Sequence, residues 1–342
     1  MTMTDRLSDM EEIAQALVAP GKGILAADES TGTIEKRFAA VGVDSTAENR
    51  RAYRDLLFTT PKVEAHISGV ILFDETIRQA ADDGTPFAEL LAQRGMIPGI
   101  KVDRGAKSLA GAPGEKVTEG LDGLRERLDE YRELGARFTK WRAVIAIATD
   151  LPSAYAIRVN AQALARFAAL SQEAGLVPIV EPEVLMDGEH TIERSLEATS
   201  RTLQAVFAEL VAQRVRLEAT LLKPNMVLPG YACEEQATHE EIAAATIRAL
   251  RRHVPAAVPG VVFLSGGQRD DDATANLGAL NRVGDQPWQL SFSYGRALQA
   301  AALKAWAGDA ANVPAARTVF AERATAIGAA RRGAPGRREA SA

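Results

Sequence analysis

Eight apolar stretches recur along the 342-residue chain. They are GILAADE (23–29), ISGVILFD (67–74), IPGIKVD (97–103), FTKWRAVIAI (138–147), LVPIVEPEV (176–184), EATLLKPN (218–225), GVVFLSGG (260–267) and WQLSFSYG (288–295). Their starts lie roughly 28 to 44 residues apart. Each reads as nearly continuous hydrophobe, the pattern of strands buried on both faces. The gaps carry a different period. Residues 153–174 keep apolar groups at i, i+3 and i+4 and stop at Gly175, and residues 191–213 and 239–252 repeat the pattern. Thr238 followed by Glu241 predicts a capping box at the start of the last of these.

Strands alternating with helices predict a parallel sheet with helical crossovers. Eight such units in one chain fit an α/β fold of the (β/α)8 TIM-barrel type. The expected organisation is a single domain over residues 1–330, with extra N- and C-terminal helices, then a flexible tail over 331–342. The alternative is an open doubly wound sheet. No GxGxxG or GxxxxGK[ST] loop follows any of the strands. GAPGEK (111–116) resembles the latter but lacks its spacing and its Ser/Thr.

Polar residues interrupt the strands near their C-terminal ends. Asp28 and Glu29 end the first, and Lys101 and Asp103 the third. Lys140 and Arg142 lie in the fourth, Glu181 and Glu183 end the fifth, and Lys223 closes LLK in the sixth. Ser265, Gly266 and Gly267 end the seventh, and Ser293, Gly295 and Arg296 the eighth. The i, i+2 spacing puts both members of a pair on one face. In a barrel these ends converge on one mouth, where active sites of this fold are built.

That mouth combines lysines, carboxylates and anion donors. An ammonium beside Leu221 and Leu222 loses solvation, and a cation such as Lys140 or Arg142 nearby also favours the neutral amine. A neutral Lys223 would attack a ketone or aldehyde to give a Schiff base. The alternative is a strand-end lysine that snorkels to water. Glu181 and Glu183 could carry the proton transfers such chemistry needs, or form an ion-pair network with Lys140 and Arg142. Asp28 could be a second base or a loop aspartate. Glycine turns followed by a helix N-terminus and Arg296 predict an anion cradle after the seventh and eighth strands. Lys101 with Ser30, Thr33 and Arg37 offers a second anion site across the mouth.

Composition narrows the class. Forty Lys+Arg against forty-five Asp+Glu gives a net charge of −5, which is no nucleic-acid footprint. A lone cysteine, Cys233, excludes an internal disulfide or a Cys-based zinc cluster. No uncharged apolar run approaches the ~18 residues of a membrane span, and the N-terminus lacks the apolar core of a signal peptide. The expectation is a soluble cytoplasmic protein. Of the four histidines, His239 opens HEEIA, which misses HExxH because residue 243 is alanine. No metal site is expected.

The blocks GKGILAADESTGTIEKR (21–37), GVILFDET (69–76), GIKVDRG (99–105), KWR (140–142), VPIVEPE (177–183), LLKPNM (221–226), FLSGGQ (263–268) and FSYGRALQ (292–299) together resemble the class I fructose-1,6-bisphosphate aldolases, over about residues 8 to 325. The resemblance implies reversible cleavage of fructose 1,6-bisphosphate to dihydroxyacetone phosphate and glyceraldehyde 3-phosphate, in glycolysis and gluconeogenesis, without metal or organic cofactor. It implies Lys223 as the Schiff-base lysine, Glu181 as acid/base of the carbinolamine steps with Glu183 as its partner, and Asp28 as acceptor of the C4-hydroxyl proton. It implies that Lys140 polarises the site and holds substrate. Ser265, Gly266, Gly295 and Arg296 match the C1-phosphate cradle, with Gly267 and Ser293 beside them. Ser30, Thr33, Arg37 and Lys101 match the C6-phosphate region, Arg50 more weakly, and Arg142 fits an ion-pair role. Family members are often homotetramers.

One departure stands out. Many family members end in a tyrosine whose tail reaches the site and assists at C3. This chain ends in REASA, and its tyrosines (53, 131, 155, 231 and 294) all precede the tail. Rival readings are a phosphosugar isomerase or transaldolase-like lyase on the same barrel, and a non-catalytic scaffold.

Overall fold

The computed structural model describes residues 3–333 of the chain. Ten strands are present: β1 (Gly23–Ala26), β2 (Ile67–Leu72), β3 (Ile97–Lys101), β4 (Ala106–Ser108), β5 (Lys116–Thr118), β6 (Phe138–Ile145), β7 (Val177–Val184), β8 (Leu221–Leu222), β9 (Gly260–Phe263) and β10 (Gln289–Tyr294). Eight close into a parallel barrel in the order β1-β10-β9-β8-β7-β6-β3-β2. All eight stretches expected to be strands are therefore barrel strands. Most strands are shorter than those stretches; residues such as Asp28, Asp103, Lys223 and Ser265 lie just beyond the ladder, whereas Lys140, Arg142, Glu181 and Glu183 line the mouth from within it.

Helices fill the gaps where the 3.6-residue period places them, at Ala154–Glu173, Ile192–Ala212 and His239–His253. Gly175 follows the first of these with a φ of +76°, the left-handed turn that glycine adopts without strain. The capping box of Thr238 and Glu241 is formed, each side chain meeting the other's backbone N–H.

β4 and β5 make a small antiparallel hairpin outside the barrel. Its turn contains GAPGEK, and the Glu115 carboxylate accepts from the Ser153 backbone N–H at 2.8 Å and hydroxyl at 2.5 Å. That motif therefore tethers the start of the helix Ala154–Glu173.

The extra terminal helices have separate jobs. The N-terminal helix Met3–Leu17 plugs the barrel floor: Met10, Ala14 and Leu17 pack with Ile24, Ile71, Phe138, Ile179 and Val262. Gly99 is required at the same level, since any side chain there would overlap the Phe138 ring. The C-terminal helix Val313–Arg331 packs on Arg296–Trp306 and Asp270–Arg282. Of the tail expected from residue 331, Arg331 is the last residue of that helix and is buried, while 334–342 lie outside the described residues.

Candidate active site

A cavity of about 940 Å³ opens at the C-terminal end of the barrel strands. Strand alternation decides which side chains enter it. In KWR, Lys140 and Arg142 face the cavity while Trp141 points outward and stacks on Phe167 with ring centroids 5.6 Å apart. Glu181 and Glu183 enter by the same rule from β7. Lys223 follows the two-residue β8 directly, and its N–H donates to the Val180 carbonyl at 2.8 Å, so the ladder still fixes its backbone.

The centre of the cavity is an ionic cluster almost closed to water. Lys140 Nζ lies 2.5 Å from Asp28 Oδ2 and 3.2 Å from Glu181 Oε2. Lys223 Nζ lies 3.3 Å from Glu181 Oε1. One carboxylate thus joins both lysines. Glu183 pairs with Arg142 one layer further out. Lys101 Nζ sits 2.7 Å from Asp103 Oδ1, and Asp103 Oδ2 accepts from the Arg142 N–H at 3.2 Å. Buried charges are tolerable only when paired in this way.

The two lysines are not equivalent. Burial alone would favour a neutral Lys140, but Asp28, Glu181 and Asp103 outweigh it and hold the ammonium well above the usual lysine range. Burial likewise pushes the Asp28 carboxyl up, but the charges of Lys140, Lys223 and Lys101 prevail and keep it well below the usual carboxylate range. Lys140 has two carboxylates within ion-pair distance, whereas Lys223 has one among the described residues.

Two groups of polar and cationic residues flank this cluster. At one, Ser265, Gly266, Gly267, Ser293, Gly295 and Arg296 line the wall. Gly266 and Gly267 have φ of +57° and +103°. The Ser293 hydroxyl is buried without a hydrogen-bond partner. Gly295 caps the helix Arg296–Trp306, whose first N–H groups and partial positive charge favour an anion. At the other end Ser30 precedes the helix Thr31–Ala39 without capping it, and its hydroxyl lies 3.1 Å from that of Thr33. Arg37 and Lys101 complete that wall. Nine cationic side chains line the whole cavity against seven carboxylates, a positive surplus on a chain of net charge −5.

The cavity brings together every candidate residue except one. Arg50 does not line it. Its guanidinium grips Glu75 with Nε at 2.7 Å and Nη2 at 2.5 Å, so its charge is already neutralised by a bidentate carboxylate. The structure thus places Arg50, the weaker match to the C6-phosphate region, outside the cavity wall.

Two residues went without a role in the sequence reading. Glu29, beside Asp28, accepts from Arg37, from Arg54 at 2.5 Å and from Gln299 Nε2 at 3.0 Å. It anchors Arg37 at the cavity wall. Its position in LAADES was the available signal, but Arg54 and Gln299 come from distant helices. Tyr231 reaches the Gly266 carbonyl from the loop after β8, and no local pattern marks it.

Comparison with known proteins agrees with this geometry. The family model for class-I fructose-bisphosphate aldolase matches residues 9–341. The chain belongs to the class I fructose-bisphosphate aldolase family. It is 59% identical over 325 residues to the "Probable fructose-bisphosphate aldolase class 1" of Xanthomonas campestris pv. campestris, covering 95% of this chain and 97% of the relative. It is 53% identical to a non-muscle-type fructose-bisphosphate aldolase of Lethenteron camtschaticum, covering 96% and 91%. A fructose-bisphosphate aldolase of Plasmodium falciparum, solved with TRAP and a small-molecule inhibitor, superposes with a TM-score of 0.95 at 50% identity, covering 96% and 95%. Among the described residues, no helix is long and apolar enough to cross a membrane.

Proposed function

We propose that the chain is a class I aldolase that reversibly cleaves fructose 1,6-bisphosphate to dihydroxyacetone phosphate and glyceraldehyde 3-phosphate, with Lys223 as nucleophile. The asymmetry of the two lysines carries this reading. Lys140 is clamped between two buried carboxylates, Asp28 and Glu181, whereas Lys223 meets Glu181 alone among the described residues, so Lys223 is the less tightly engaged lysine and the one assigned as nucleophile.

The Lys223 amine adds to the C2 carbonyl to form a carbinolamine. Glu181, 3.3 Å from Lys223 Nζ, takes the proton that the nitrogen sheds as it adds and passes it to the departing hydroxyl, and water leaves to give the iminium. Asp28 then takes the C4-hydroxyl proton. The C3–C4 bond breaks, its electrons move to the iminium nitrogen to form an enamine, and glyceraldehyde 3-phosphate departs. Protonation at C3 and hydrolysis release dihydroxyacetone phosphate and restore the amine. Lys140 screens Asp28 from Glu181, so both carboxylates act close together without mutual repulsion. Ser265–Gly267 with Ser293, Gly295 and Arg296 hold the C1 phosphate, and Ser30, Thr33, Arg37 and Lys101 the C6 phosphate. Phosphates fixed at both ends orient C2 against Lys223 and lower the entropic part of the barrier.

A homotetramer in the cytoplasm belongs to the same reading, and mass photometry at about four chain masses would support the assembly. Borohydride trapping tests the chemistry. Incubation with dihydroxyacetone phosphate, EDTA and sodium borohydride should leave a substrate-dependent adduct on Lys223, located by peptide mass spectrometry. A folded, phosphate-binding protein that forms no adduct would overturn the proposal.

A further inference from the structure

We infer that Tyr231 is a positioning residue for the C1-phosphate end of the site, setting the affinity for dihydroxyacetone phosphate. The inference rests on the aldolase reading above. Three backbone hydrogen bonds zip the loop after β8 to the loop after β7: Gly230 N–H to the His190 carbonyl at 2.8 Å, Tyr231 N–H to Met186 at 3.0 Å and Ala232 N–H to Gly188 at 2.9 Å. So held, Tyr231 extends its hydroxyl to a third loop and donates to the Gly266 carbonyl at 3.2 Å, with Met186 Sδ as a second acceptor at the same distance.

That carbonyl shares its peptide unit with the Gly267 N–H. A donor on the carbonyl polarises the unit, strengthens the N–H as a donor and fixes its plane. Neither the Gly266 nor the Gly267 N–H donates to a protein acceptor among the described residues. The phenol also shapes the space over Gly267. The point a Cβ would occupy there is 2.9 Å from Arg296 Nη2 and 3.3 Å from Tyr231 Cε2. Arg296 makes no ion pair or hydrogen bond of its own among the described residues, so this aromatic wall limits where its guanidinium can go. The Tyr231 ring is 44% exposed, so burial alone does not account for the placement of its hydroxyl.

The test is steady-state kinetics in the condensation direction, because dihydroxyacetone phosphate carries the C1 phosphate and glyceraldehyde 3-phosphate the other. Tyr231→Phe removes only the hydroxyl. It should raise KM for dihydroxyacetone phosphate roughly 3- to 10-fold, as expected for one lost hydrogen bond. KM for glyceraldehyde 3-phosphate and kcat should stay within about twofold. Tyr231→Ala, which also removes the wall, should raise the first KM further. An unchanged KM for dihydroxyacetone phosphate in both variants overturns the inference. So does an equal rise in both KM values, which would mean general loop damage. Failure of the wild type to trap dihydroxyacetone phosphate on Lys223 would overturn both readings, and is told apart because it needs no variant.

Discussion

Asp28 and Lys140 form an ion pair with 2.5 Å between Oδ2 and Nζ, at a place where the two residues are only 8% and 3% exposed. Each holds the other in its charged form against the pull of burial. In the proposed mechanism Asp28 accepts the C4-hydroxyl proton, so this pair sets how strongly it resists.

Removing one partner should therefore be costly. Lys140→Met leaves Asp28 and Glu181 buried beside each other without a cation between them. Loss of a buried partner costs about 3–5 kcal/mol, and turnover should fall at least about 100-fold. Urea denaturation and initial rates measure the two effects separately. A Lys140→Met enzyme with near-normal kcat would contradict the assignment.

The pH dependence of stability follows from the same pair. The Asp28 carboxyl is depressed in the folded state below the usual carboxylate range, about 4, by the lysines around it. Its contribution is then fully present above the unfolded value and is lost as pH falls towards the folded one. Asp28→Asn should destabilise the protein at pH 7 and differ progressively less from wild type below about pH 4. Denaturation midpoints of both proteins from pH 7 to pH 3 test the sign.

Lys223→Arg and Lys223→Ala should be equally inactive, because a guanidinium stays protonated and forms no imine. Both should lose at least about four orders of magnitude in kcat. Substantial turnover in either, with contamination excluded by mass spectrometry, would assign the nucleophile elsewhere.

Two arginines should part company. Arg296 lines the cavity without a carboxylate partner among the described residues, so Arg296→Ala should raise KM for fructose 1,6-bisphosphate by about tenfold or more, the loss of a charge-assisted hydrogen bond. Arg50 lies outside the cavity in its pair with Glu75. Arg50→Ala should leave KM unchanged and cost about 1–3 kcal/mol of stability, because the bidentate pair is mostly buried.

Gly99→Ala probes the barrel floor. The added methyl overlaps the Phe138 ring, and overpacking of this kind costs about 1–3 kcal/mol. The thermal midpoint should drop while kcat and KM hold, since Phe138 lies at the end of the barrel opposite the mouth.

Much of the barrel and its chemistry was legible along the chain. Continuous apolar stretches interrupted at their C-terminal ends marked the strands, and the period of two placed Lys140 with Arg142 and Glu181 with Glu183 on common faces. Parallel strands with helical crossovers then required those ends to meet, so Asp28, Lys140, Glu181 and Lys223 could be grouped before any coordinates were known. Local spacing carries that information because backbone geometry fixes side-chain direction within one strand.

Contacts between elements were decided only by the tertiary structure. Lys140 and Lys223 look alike in sequence, and they differ because Glu181 offers one oxygen to each while Asp28 reaches only Lys140 among the described residues. Arg50 stands in a polar helix as any phosphate-binding arginine could, until Glu75, twenty-five residues away, occupies its guanidinium. Glu29 gained its role from Arg54 and Gln299, and Tyr231 from a loop folded across two neighbours. Such pairings depend on which side chains the closed barrel brings together, since a hydrogen bond needs its partners within about 3 Å and an ion pair between buried groups weakens as they separate.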